Sequence, residues 1–312
     1  MRQMISFALA GWILLAGLPG RQQVQQGGEA GERLRRAGAL FDQRRFAEAA
    51  EEARRARESD PKLREAWKLS GLSLQLAGSL QEAEKEFAAA LHFFPNDPDL
   101  WFYLARVQYL QSSLKPAESS ARRALDLQPD HAGAHTQLAM ALEALNDYPK
   151  ALDHYRRGVE LGRKLGRPPT LPLVYAANLL LKLNRVEEAL DYLTQAEAIE
   201  PQSREIRLSR GRALEKLGRL AEAEKEYQQA ATNDGGGQSS AARAARAALA
   251  RLNGLRAGAT GNRGAGKPIA SIAPIRFRDV AGQSRLDFVL RNDASPRKYQ
   301  VETMTGGLAV ID

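Results

Sequence analysis

The sequence predicts an all-α fold: a solenoid of six helical hairpins closed by a C-terminal capping helix, with a short β-type tail. Three observations carry this. An alanine recurs at Ala49, Ala83, Ala117, Ala151, Ala189 and Ala223, at intervals of 34, 34, 34, 38 and 34 residues. Other positions recur in phase with it. Twelve residues before each alanine lies Ala37, Gly71, Ala105, Ala139, Ala177 or Gly211, and seven after lies Ala56, Ala90, Ala124, Gly158, Ala196 or Ala230. Finally, Ala, Leu, Arg and Glu dominate a chain with only 6% aromatics, and those residues lose little side-chain entropy in a helix.

The first element is residues 1–20. Arg2 precedes an uncharged apolar run from Ile5 to Leu18, Pro19-Gly20 breaks it, and Arg21-Gln22-Gln23 follows. A basic start, a short apolar stretch and small residues after it predict a secretory signal, hence a periplasmic or secreted protein. The alternative is an uncleaved anchor formed by residues 5–18, although spanning a bilayer takes about 20 apolar residues. Residues 21–29 read as a linker.

Residues 30–235 divide into six units: 30–63, 64–97, 98–131, 132–165, 170–203 and 204–235. Two antiparallel helices approach closely only where the crossing residues lack bulk, which explains the recurrent Ala and Gly. Three residues before each repeated alanine stands a bulky one: Phe46, Leu80, Leu114, Tyr148, Val186 or Leu220. Pro61, Pro95, Pro129 and Pro201 close four units, and Pro116 and Pro149 sit where second helices begin and a missing N–H costs nothing. The four extra residues before the fifth unit include Gly166-Arg167-Pro168-Pro169 and predict a longer loop or an extended helix. In the first unit Arg33 and Arg36 replace apolar residues, as expected of a terminal repeat whose outer side meets water.

This pattern resembles the tetratricopeptide repeat family, with Trp67 and Trp101 at the family's tryptophan position and Leu173 as a substitute. The resemblance implies that the second, fifth, ninth, twelfth and thirteenth positions of each unit line a concave groove. In this chain they include Phe102, Arg106 and Tyr109 in the third unit, Thr136, Met140 and Glu143 in the fourth, and Val174, Asn178 and Lys182 in the fifth. A protein or peptide partner is therefore expected there. The family's carboxylate clamp wants Lys followed four residues later by Asn. Here Lys68 is followed by Leu72, and Asn178 is preceded by Val174, so a chaperone-tail clamp is not expected.

Residues 239–255 read as a capping helix, with Leu249, Leu252 and Leu255 on its apolar stripe. Residues 256–270 read as a flexible linker. The net charge of +8 is concentrated here: from Gly235 to Arg278 there are eight cations and no acid. A phosphate-tracking groove needs that charge on its binding face, so nucleic acid is not the expected partner.

Little chemistry is expected. There is no cysteine, which excludes disulfides and thiolate chemistry. His131 and His135 have the i, i+4 spacing of metal ligands, but His135 falls at the tryptophan position and reads as a packing residue. Gly261 to Lys267 matches a phosphate loop in outline, yet Pro268 stands where Ser or Thr is required. The reading is non-enzymatic, with no cofactor and no metal.

Residues 271–312 change character: Ile275–Val280 and Leu286–Leu290 alternate as strands do. With Asn292, Lys298, Tyr299, Glu302, Met304, Gly306, Gly307, Ala309 and Asp312, this stretch resembles the opening of an FG-GAP/VCBS-repeat, cartilage-acidic-protein-like propeller of the ASPIC type. That resemblance implies a calcium-bearing β-propeller begun here and truncated. The alternative function is thus a helical assembly or regulatory arm of a larger cell-surface protein. One carboxylate falls far short of calcium's six or more oxygens, so no calcium site is expected in this chain.

Overall fold

A computed structural model describes residues 28–166, 168–232 and 239–261. The segments expected to be a signal (1–20), linkers (21–27 and 262–270) and a β-type tail (271–312), with the phosphate-loop look-alike after Gly261, lie outside the described residues. Within them the fold is helical: α1 (Glu29–Asp42), α2 (Phe46–Ser59), α3 (Arg64–Ala77), α4 (Leu80–Phe93), α5 (Pro98–Leu110), α6 (Leu114–Leu127), α7 (Ala132–Ala144), α8 (Tyr148–Lys164), α9 (Thr170–Lys182), α10 (Val186–Ile199), α11 (Arg204–Lys216), α12 (Leu220–Ala231) and α13 (Ser240–Gly261). The first twelve pair into six antiparallel hairpins, and α13 closes the stack.

The phase read in the sequence is the phase of the packing. Ala49, Ala83, Ala117, Ala151, Ala189 and Ala223 all have 0% exposure, as do Ala37, Ala105, Ala139 and Ala177. These are the sites where helices cross, and a larger side chain would force the axes apart. The bulky recurrent residues, from Phe46 to Leu220, are each the first residue of a second helix.

Each hairpin turns through one residue with positive φ: Arg44, Gly78, Ser112, Asn146, Asn184 and Gly218. They occupy the same place in every unit, two residues before the second helix. Glycine meets this left-handed conformation without a Cβ penalty, and asparagine tolerates it; Arg44 and Ser112 hold it under strain. The extra residues after the fourth unit are absorbed largely by the helix, since α8 has 17 residues where α4, α6 and α10 have 14.

Consecutive first helices touch one another from repeat to repeat, whereas no two second helices pack comparably. The layer of first helices is therefore the tighter, inner side of the curve. The core runs through the stack as clusters around Leu69, Phe87 and Leu100, around Tyr155, Leu173 and Leu193, and around Leu208, Tyr227 and Leu252. Burying each such side chain contributes about 1.5–3 kcal/mol. At the N-terminal end Arg36 is exposed and Arg33 pairs with Glu29 at 2.5 Å, so the outer side of α1 is polar. At the other end Ala241, Ala245 and Leu252 of α13 cover α12. That helix continues to Gly261, beyond the Leu255 expected from sequence. Among the described residues no helix is long and apolar enough to cross a membrane.

Candidate interaction surface

The inner helices are pinned by one recurrent hydrogen bond. The fourth residue of a unit donates to the carbonyl of the proline that closes the unit before: Trp67 Nε1 to Pro61 at 3.0 Å, Trp101 Nε1 to Pro95 at 2.9 Å, His135 Nε2 to Pro129 at 3.0 Å and Arg207 Nη2 to Pro201 at 2.7 Å. Four residue types do one job because the geometry asks only for an N–H at the end of a flat side chain. His135 is thus a packing residue, as its position predicted. Arg207 was not anticipated, though its spacing from Pro201 equals that of Trp67 from Pro61.

His131 and His135 do not meet. The Nδ1 of His131 accepts from the Ala134 N–H and caps α7, which leaves Nε2–H to donate to Asp99 at 3.1 Å. His135, its Nε2–H committed to Pro129, accepts at Nδ1 from the Nδ1–H of His154 at 2.9 Å. Burial, then the neighbouring His135 and Arg122, push His154 down to about 4, and burial also lowers His135. The pair is neutral at pH 7. Among the described residues no group of three or more histidine or carboxylate side chains is arranged to hold a metal.

An ionic chain ties the second and third units together beside the inner layer and ends at His131, which caps α7. Lys68 lies 3.0 Å from Asp97 and 2.7 Å from Asp99, and Arg64 lies 3.5 Å from Asp97. Asp97 caps α5 by accepting from the Asp99 and Leu100 N–H groups. The hydrogen bond from His131, with Lys68 behind it, holds the Asp99 carboxyl well below its usual range.

The residues expected to line the groove divide into two sets. Phe102, Tyr109, Glu143, Val174 and Asn178 are half-buried and Lys182 is exposed. Thr136 and Met140 are buried. The Thr136 hydroxyl donates to the Ala132 carbonyl at 3.1 Å and fills the space left by Gly158, while Met140 joins the core. Asn178 accepts from the Ser209 hydroxyl at 3.0 Å, linking the fifth and sixth units. Lys182 sits 4.4 Å above the Tyr148 ring.

Arg106 is the anomaly. It is 5% exposed, donates from Nε to Gln75 at 2.9 Å, and has its guanidinium 5.1 Å from the Tyr103 ring and 5.5 Å from Phe102. Its Nη2 finds no hydrogen-bond partner among the described residues, and no carboxylate pairs with it there. Burial pushes its pKa down to about 10. A buried cation without a counter-charge is costly, and the aromatic faces offset only part of that cost.

One constellation was missed in the sequence. In the fourth unit the Tyr155 hydroxyl donates to Glu143 at 2.9 Å, and in the sixth the Tyr227 hydroxyl donates to Glu215 at 2.8 Å. In both, tyrosine follows glutamate by twelve residues, a spacing that could have been read.

The family profile described as tetratricopeptide repeat matches residues 34–98, 77–130, 115–164 and 176–238, together more than half of the chain. Anaphase-promoting complex subunit 3 of Schizosaccharomyces pombe is 25% identical over 175 residues, 56% of this chain. The match spans only about a quarter of that relative's length, 26%. Among solved structures, the fold is similar to the anaphase-promoting complex hetero-tetramer Cut9–Hcn1 (TM-score 0.63, 14% identity, 80% of this chain and 47% of that one). It is also similar to PilW, described as a type IV pilus biogenesis factor (TM-score 0.60, 15% identity, 70% and 98%). Yeast Tom70 is a third such likeness (TM-score 0.58, 19% identity, 73% and 47%).

Proposed function

The chain belongs to the tetratricopeptide repeat family, and on that premise we propose that it is an exported scaffold that holds a protein or peptide segment on its inner, concave face. The family's fold is typically a non-catalytic scaffold for protein partners. The observation that supports a groove ligand is Arg106, a buried cation without a counter-ion among the described residues, on the helix layer that faces the inside of the curve. Beside it Phe102 and Tyr109 present half-exposed rings, and aromatic and arginine side chains are frequent binding anchors. Export rests on Arg2 and the apolar run from Ile5 to Leu18. A protein rather than a nucleic acid is the partner in this reading, since the eight cations and no acid between Gly235 and Arg278 equal the whole net charge of +8 and the rest of the chain sums to zero.

The test is capture from the cell envelope with the full chain, side by side with a Phe102→Ala/Tyr109→Ala variant. Loss of the captured partner with the variant supports the groove. Undiminished capture removes it. Cell fractionation tests export independently, and a protein found only in the cytoplasm would end that part of the reading.

A further inference from the structure

The two Tyr–Glu dyads are built alike but differ in what meets the carboxylate. In the sixth unit Glu215 accepts from Tyr227 at 2.8 Å and from the guanidinium of Arg251, on the next helix α13, at 2.7 Å. Both bonds fall on one oxygen, Oε2, so a phenol and an arginine from the following layer meet that carboxylate together within the chain. In the fourth unit Glu143 accepts from Tyr155 at 2.9 Å in the same way, but no cation lies within ion-pair distance of it among the described residues. The following helix, α9, offers Leu181 where α13 offers Arg251, counting from each helix's first residue. The next residue, Lys182, turns to the Tyr148 ring instead.

The setting of Glu143 suits a cation. Burial raises its carboxyl, with the Tyr155 hydrogen bond and the field of Lys182 opposing that shift. Tyr109 and Tyr175 stand close enough to feel the carboxylate, and Tyr175 stacks on Tyr155 with ring centroids 6.0 Å apart. Partial burial beside aromatic faces strengthens both an ion pair and a cation–ring contact, and a planar guanidinium can make the two together. The residues come from α5, α7, α8 and α9, so the site spans three consecutive units.

We propose that Glu143, presented by Tyr155 between Tyr109 and Tyr175, is the receptor for an arginine side chain of the bound partner, which takes the place that Arg251 fills at Glu215. This rests on the groove reading above and specifies the chemistry of one subsite in it: the partner segment carries an arginine opposite the fourth unit.

The experiment is selection of a random peptide library on the full chain. Recovered peptides are then measured against the parent, Glu143→Gln and Glu215→Gln, and as versions with arginine replaced by citrulline. Glutamine keeps an oxygen for the Tyr155 hydroxyl, so the fold is retained, and circular dichroism of each variant checks this. The expected result is arginine enriched at one peptide position, with about tenfold weaker binding on either citrulline replacement or Glu143→Gln. Glu215→Gln, which removes a carboxylate already occupied within the chain, leaves affinity unchanged. Peptides that bind the groove with no arginine preference, or indifferently to Glu143→Gln, overturn the arginine site while leaving the groove standing. A library that yields no peptide sensitive to Phe102→Ala/Tyr109→Ala counts against the groove, and the arginine site falls with it.

Discussion

A Cβ added to Gly71 would stand 2.5 Å from Cζ of Phe87, and one added to Gly211 would stand 2.5 Å from Cε1 of Tyr227. In the second and sixth units the first helix surrenders a side chain so that a ring from the second helix can lie against its backbone. Phe87 has 0% exposure, so its ring cannot retreat without disturbing everything packed around it. Gly71→Ala is expected to destabilise by about 1–2 kcal/mol, overpacking exceeding the helix-propensity gain of about 1 kcal/mol. Urea denaturation measures it. Stability at or above the parent's would show that the ring has room to move.

The left-handed turn residues give a change of opposite sign. Ser112 holds a φ of 65° at the place where Gly78 and Gly218 hold 88° and 73°. Ser112→Gly removes the Cβ conflict at the cost of a more flexible unfolded chain, and the net expectation is a gain of about 0.5–1 kcal/mol. The same change at an ordinary helical position such as Ser119 in α6 should destabilise. If both substitutions lower the melting temperature equally, the turn is not strained.

This regularity was only half legible. Ala and Gly at crossings, proline at exits and bulky residues at second-helix starts could be read, because helix packing constrains residue size and size is visible in the sequence. The turns were harder: Arg44, Gly78, Ser112, Asn146, Asn184 and Gly218 share a conformation but no chemistry. The groove was legible as positions and not as exposures. Thr136 and Met140 occupy lining positions, yet the void beside Gly158 and the close approach of neighbouring units draw them inward. The Glu143–Tyr155 and Glu215–Tyr227 dyads escaped because a pattern in two of six units does not stand out from a repeat scan.

Arg106 tests whether stability has been yielded to function. Replacing it with methionine removes an unpaired buried charge and loses the ring contacts and the Gln75 hydrogen bond. The two sides nearly balance, so Arg106→Met should remain within about 1 kcal/mol of the parent or exceed it. Partner capture should weaken at the same time. A loss above about 3 kcal/mol would mark Arg106 as a structural member of the stack instead.

The His135–His154 pair makes stability depend on pH. Both folded pKa values lie below the unfolded value of about 6.5, with His154 near 4. Above about pH 6.5 both states are neutral and the pair's contribution is complete. As pH falls from there toward 4, the unfolded chain takes up protons that the folded one refuses, and stability declines. Because the His154 ring is only partly buried, solvent screens it and the loss is set on the order of 1 kcal/mol. Melting temperatures between pH 7.5 and 4.5 for the parent and His154→Gln measure it. Parallel curves would show that the pair does not govern the slope.

The last prediction concerns the end of the stack. In a solenoid each unit is held by its neighbours, so damage at one end should stay there. Leu252 of α13 is 4% exposed and packs in the cluster with Leu208, Leu214 and Tyr227. No further helix among the described residues covers its far side. Leu252→Ala is expected to cost about 2–3 kcal/mol, the lower part of the range for a buried leucine, because an end helix can settle into the space. Hydrogen exchange should show the cost in α11, α12 and α13, with amides of α3 to α8 protected as in the parent. The Arg251–Glu215 pair should loosen with α13, freeing the Tyr227 hydroxyl's partner to solvent. Uniform loss of protection from α1 to α13 would mean that the six units unfold as one cooperative block, and that the cap supports the whole array.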